Sequence, residues 1–160
     1  MKRSMHFGLA AVLSVVAFGA VAGEAPAPSA DEQAKQAIET RQGLFKVMGY
    51  SMGPVGGMMR NRVPFDAAVA QKSAERIAQL GAMITDLHQA DTRKHTGTKT
   101  GALDGIWNSQ ADFKAKADEL VKAANELAAA AKTGDKAATL KAAGGVGKAC
   151  GSCHDAYRSK

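Results

Sequence analysis

The sequence predicts an all-α chain, folded as an antiparallel four-helix bundle. Apolar residues recur at spacings of three, four and seven in four long segments, which is the period of a helix with one buried face. No stretch alternates apolar and polar residues as a half-buried strand does. The connections are short for the most part, and short connections make neighbouring helices antiparallel.

The first segment runs from about Asp31 to Met59, with Ile38, Phe45, Met48, Met52 and Met59 as its apolar stripe. Pro54, among Gly53, Gly56 and Gly57, is expected to kink or loosen its last third. The second runs from Pro64 or Phe65 to about Gln89, with Ala67, Ala74, Ile77, Leu80, Ile84 and Leu87 on its buried face. A polar loop rich in Thr, Lys and Gly follows from Asp91 to Asp104. The third segment runs from about Ile106 to Lys132, anchored by Trp107, Phe113, Leu120 and Leu127, and Thr133-Gly134 stops it. The fourth runs from about Lys136 to Arg158, where Leu140, Val146, Cys150, Cys153, His154 and Tyr157 can share a broad inner face.

The first residues stand apart. Lys2 and Arg3 open the chain, an apolar run extends from Phe7 to about Val21, and Ala20-Val21-Ala22 gives a small-x-small pattern. This reads as a secretory signal peptide over residues 1–22, cleaved after Ala22. As a membrane anchor the run is short of the roughly 20 apolar residues that span a bilayer. Residues 23–30, with Ala25-Pro26-Ala27-Pro28-Ser29, read as a flexible linker, and residues 31–160 as a single domain. The net charge of +6 falls to +4 without Lys2 and Arg3. Lysines and acids are interspersed, so no concentrated basic patch points to nucleic acid. No membrane span is expected after cleavage. Alanine is abundant and aromatics make up only 5% of the residues, so a large apolar cofactor would help to fill the core.

Chemistry concentrates in Cys150-Gly151-Ser152-Cys153-His154, which holds the only two cysteines of the chain. This is the C-x-x-C-H pattern of c-type haem attachment. Two thiols add across the vinyl groups of the porphyrin, and the adjacent histidine is held beneath the iron as its proximal ligand. Gly151 and Ser152 are small enough to admit the porphyrin edge. The expected cofactor is therefore one haem c, bound through Cys150 and Cys153, with His154 as the metal ligand. Export agrees with it, because bacterial c-type haem is attached outside the cytoplasm. Three other readings stay open. A structural disulfide is one, although so short a loop gains little stability. A thiol–disulfide oxidoreductase using Cys150 and Cys153 is another, although it calls for a βαβ context with the motif at a helix start. A zinc site would need further ligands, and after cleavage only His88, His95 and His154 remain.

An attachment motif on the last of four helices resembles cytochrome c′, the class II c-type cytochromes. Three stretches carry the resemblance: Arg41 to Met48 (RQGLFKVM), Ile106-Trp107, and Cys150 to Arg158 (CGSCHDAYR). The resemblance implies the bundle with covalent haem on its C-terminal helix. It places Arg41 and Gln42 near the haem propionates, where a guanidinium and an amide can each hydrogen-bond a carboxylate. It sets Arg158 beside the proximal side of the haem, four residues after His154 and so on the same helical face. It also matches Thr100 to a loop position that touches a propionate, and it implies a homodimer through the first two helices.

The resemblance makes the residue four after Arg41 the distal one, and that is Phe45. Phenylalanine cannot ligate iron. The expectation is a five-coordinate, His-ligated iron that binds nitric oxide or carbon monoxide, transfers electrons, or does both, in a periplasmic protein that is not an enzyme. The runner-up is a low-spin electron carrier with Met48 or Met52 as the sixth ligand, although methionines at helical spacing more often pack a core.

Overall fold

The computed structural model describes residues 27–160; the expected signal peptide and most of the linker lie outside the described residues. Six helices occur among the described residues: α1 (Ala30–Met59), α2 (Ala67–Ala82), α3 (Ile84–Leu87), α4 (Gly105–Asn108), α5 (Gln110–Lys132) and α6 (Lys136–Tyr157). The four long ones are the bundle. Residues 27–160 contain no strand; a single isolated bridge pairs Ala102 with Arg158.

Caps fix the helix ends. Ser29 and Glu32 form a reciprocal capping box that starts α1. Asp66 caps α2 by accepting from the Val69 amide at 3.0 Å, so this helix begins after Pro64 and Phe65 rather than at them. Asp135 caps α6 through the Ala138 amide at 2.9 Å. The expected stop after Lys132 is found: Thr133 is the C-cap of α5, and Gly134 takes φ +77°, a left-handed geometry that glycine adopts without penalty.

α1 keeps its expected end at Met59, and two other segments differ from the sequence reading. α1 runs unbroken through Pro54 to Met59. The second segment divides at Met83 into α2 and α3. The third divides at Ser109, whose φ of −133° and ψ of 52° are not helical, so Trp107 belongs to the short α4 and not to α5. Periodicity survives a one-residue break, which is why the pattern alone joined these pieces.

The core lies between the four long helices. Ile38, Ile77, Leu127, Val55 and Val146 are fully buried, and alanines at 70, 74, 117, 124, 131 and 143 fill much of the rest. Small side chains let the helices approach. A Cβ on Gly81 would come within 3.0 Å of Val121 Cγ2, which marks a close contact of α2 with α5. The expected stripe of α1 is only partly inside: Ile38 and Met48 are buried, but Phe45 and Met59 are 39% and 40% exposed.

Candidate haem site

The motif is helical from end to end, because α6 continues to Tyr157. Cys150, Cys153 and His154 therefore fall at i, i+3 and i+4 on one face. All three are half-buried, and both cysteines pack against the apolar core. Their sulfurs are not bonded to each other. Burial pushes both thiols above their ordinary pKa, the opposite of the lowered value that activates a redox dithiol. A Cβ placed on Gly151 would meet nothing within 4 Å, so the chain leaves room there for a ring edge. From α5, Lys116 Nζ donates to Ser152 Oγ at 3.0 Å, in the middle of the motif. Burial lowers the pKa of His154, with the Arg158 cation adding to the effect and Asp155 opposing it. The imidazole is thus disposed to the neutral form that ligates a metal.

The loop between α3 and α4 is clasped to the end of α6. Leu103 N donates to Tyr157 O at 3.0 Å, and Ser159 N donates to Gly101 O at 2.8 Å. Thr100 therefore lies alongside the turn that carries Arg158. Thr100 and the Arg158 side chain are exposed, and Thr100 Oγ1 accepts from Ala102 N at 3.2 Å.

Arg41 is not an exposed helix charge but is 5% exposed. Its Nε donates to Leu87 O at 2.6 Å, Nη1 to Thr92 Oγ1 at 2.9 Å, and Nη2 to Ala90 O at 2.6 Å. Its guanidinium also lies 5.5 Å from the centroid of the Trp107 ring. Gln42 Nε2 donates to Lys99 O at 2.8 Å. Together the pair ties α1 to both ends of the 88–100 loop.

Phe45 begins a ladder of rings that leads to the motif helix. Its centroid is 6.2 Å from that of His88, edge to face. His88 lies 4.9 Å from Phe113, and Phe113 lies 5.2 Å from Tyr157. Tyr157 OH donates to Asp112 Oδ2, and its pKa is pushed up to about 12 by burial and by that bond. The two candidate methionine ligands are turned inward. Met48 is 6% exposed within the core cluster, and Met52 is partly buried against it.

His88 escaped the sequence reading, which counted it only among spare zinc donors. The signal was present: it continues the spacing Ile77, Ile84, His88 on the buried face of its segment. Among the described residues, no group of three or more His, Cys, Asp or Glu could hold a bare metal ion, so the zinc reading has no site there.

The family model described as cytochrome C′ matches residues 36–158. The chain belongs to the cytochrome c′ family. It is 36% identical over 153 residues to cytochrome c-554 of Cereibacter sphaeroides, which covers 95% of each chain. A solved cytochrome c′ described as having a ligand-controlled dimer dissociation is 35% identical, with a TM-score of 0.72 over 79% of this chain and 97% of the other. A leucine-to-isoleucine variant of cytochrome c prime from Alcaligenes xylosoxidans, solved as its nitric oxide complex, is 30% identical, with a TM-score of 0.69 over 79% of this chain and 97% of that one.

The cofactor of the family is covalent haem c, and the residues present fit it: two thiols one helical turn apart against apolar core, and a neighbouring imidazole. The protein is a c-type haem protein with the four-helix bundle of its family. No helix among the described residues is long and apolar enough to cross a membrane.

Proposed function

We propose that this cytochrome c′ relative is a periplasmic gas-binding haem protein with five-coordinate iron, able also to pass electrons. Residues 1–22 act as its export signal, residues 23–30 as a linker, and residues 31–160 as the haem-binding bundle. The observation that carries the reading is Phe45. It holds the distal position of the family pattern, cannot ligate, and stands at the head of the ring ladder from α1 to α6. Burial of Met48 in the helix interface supports a packing role for it rather than ligation. The nitric oxide complex of the Alcaligenes relative supports the choice of ligand.

Once bound, haem supplies an iron centre whose sixth position can take a neutral diatomic gas. The chain's own residues do the rest. Cys150 and Cys153 would hold the cofactor covalently, and His154 would ligate its iron, with the Arg158 cation favouring the neutral imidazole. Gln42, Thr100 and the remaining N–H groups of Arg41 serve the propionates. Phe45 caps the distal face and, being apolar, offers nothing to an anionic ligand. No residue of this set acts on a substrate, so the proposed role is not enzymatic.

An optical spectrum of the purified holoprotein tests the reading. A high-spin ferrous spectrum that changes on adding carbon monoxide is expected. A low-spin spectrum inert to carbon monoxide overturns it and points to Met48 or Met52. Phe45→Ala should speed carbon monoxide association, measured by flash photolysis, because entry then requires no ring displacement.

The exposed apolar side chains of the α1–α2 side, Val47, Tyr50 and Val69, support a homodimer through the first two helices.

A further inference from the structure

His88 is the one buried histidine among the described residues, at 5% exposure. Its Nδ1 lies 2.7 Å from Ile84 O. A carbonyl oxygen only accepts, so Nδ1 carries the proton and Nε2 keeps a lone pair. Burial lowers its pKa from 6.5, and the Arg41 cation lowers it further against the opposing backbone bond. The ring is therefore neutral near pH 7. Nε2 makes no hydrogen bond to a described residue. Among the described residues no buried side-chain nitrogen or oxygen lacks a partner, so the unbonded Nε2 keeps an opening through which a small ligand can reach its lone pair.

The ring also has a fixed place. Trp107 Nε1 donates to His88 O at 3.1 Å. Arg41 holds the carbonyls of Leu87 and Ala90 on either side. Phe45 and Phe113 flank the imidazole. A histidine anchored through Nδ1 to a backbone carbonyl, with Nε2 left over, is the arrangement that orients an imidazole toward a metal centre.

We propose that His88 is the polar group of the distal haem pocket, presenting its Nε2 lone pair beside Phe45 to a ligand in the sixth position. The proposal rests on Phe45 marking the distal side. It adds selectivity of a definite sign. The lone pair accepts a hydrogen bond from a small ligand that carries a proton, such as water or an amine. It repels the oxygen end of carbon monoxide, so the pocket favours protic ligands over that gas.

The C–O stretch of the ferrous carbon monoxide complex tests this in the intact holoprotein. A lone pair facing the oxygen opposes back-donation from the iron and keeps the C–O bond strong. Replacing the imidazole by a ring or chain without a lone pair should therefore shift the stretch to lower frequency. His88→Phe and His88→Leu both fit the aromatic stack, and either one suffices. No shift, or a shift to higher frequency, overturns the proposal while leaving five-coordinate gas binding intact. Binding of carbon monoxide by the variants but not by the wild type would make His88 itself the sixth ligand, which also overturns it. Absence of carbon monoxide binding in all three proteins overturns both readings. In the wild-type complex, a ¹H–¹⁵N spectrum should show an unprotonated His88 Nε2, and a proton there overturns the proposal without any variant.

Discussion

Arg41 shows how a single residue can serve the frame before it serves a ligand. Three of its nitrogens reach three acceptors in the 87–92 segment, and its cation faces Trp107. Arg41→Leu would strand the buried Thr92 hydroxyl and two part-buried carbonyls and should destabilise the protein by about 2–4 kcal/mol. Arg41→Lys should recover only part of this, because an ammonium cannot reproduce the fork of a guanidinium. Thermal melts give the total, and hydrogen exchange should show the loss of protection concentrated between residues 87 and 92. His88, in the same segment, gives a pH dependence of known sign. Its folded pKa is lowered below 6.5, so the unfolded chain takes up a proton at a higher pH than the folded one. The contribution of the neutral ring is complete above about pH 6.5 and is lost as pH falls through the folded pKa. Between pH 7 and pH 5 the melting temperature of the wild-type holoprotein should fall more than that of His88→Phe. Equal losses would mean that the ring is not held neutral. The thioether cysteines and His154 were legible in sequence because their spacing encodes one chemistry. The partners of Arg41 were not: two are main-chain carbonyls, which carry no signature of residue type, and the third is the Thr92 hydroxyl, all of them about fifty positions away.

Among the elements, the four long helices followed from the apolar period and, at the end of α5, from Thr133-Gly134; the caps Asp66 and Asp135 emerge from the structure. The breaks at Met83 and Ser109 were not readable, because neither is a proline or glycine and the apolar period runs through both. How closely helices approach depends on single small residues. Gly81 brings α2 to α5 with only 3.0 Å between a notional Cβ and Val121 Cγ2. Gly81→Ala sets a helix-propensity gain of about 1 kcal/mol against that tight contact and should be near neutral. Gly81→Val adds two methyl groups to the same space and should cost about 1–3 kcal/mol. Val121→Ala in the same chain should restore part of that loss, since it removes the atom met first. Urea unfolding of the two single variants and the double variant measures the coupling; strict additivity would place the cost elsewhere than at this contact.

At the scale of the whole molecule, the proposed haem site and the proposed association surface draw on different residues. The backbone clasp between Gly101 and Ser159 holds the 99–103 loop against the end of α6, which no side-chain pattern announces, and the Phe45–His88 stack reaches the same helix through Phe113 and Tyr157. α1 shows Val47 at 52% and Tyr50 at 78% exposure, with Val69 of α2 at 39%. Val47 and Tyr50 are three residues apart, so they share a face of α1. Large apolar groups grouped this way mark contact surfaces. Tyr50→Asp puts a charge into that surface, and burying an unpaired carboxylate there is unfavourable. Each 1.4 kcal/mol so imposed weakens association about tenfold. Sedimentation velocity over a range of concentrations should show a dimer for the wild type and a shift toward monomer for Tyr50→Asp. The ferrous carbon monoxide spectrum should be the same in both, because Tyr50 is 78% exposed and is not one of the residues assigned to the haem. A wild type that sediments as a monomer at every concentration would remove the dimer from the proposal and leave the haem site as argued.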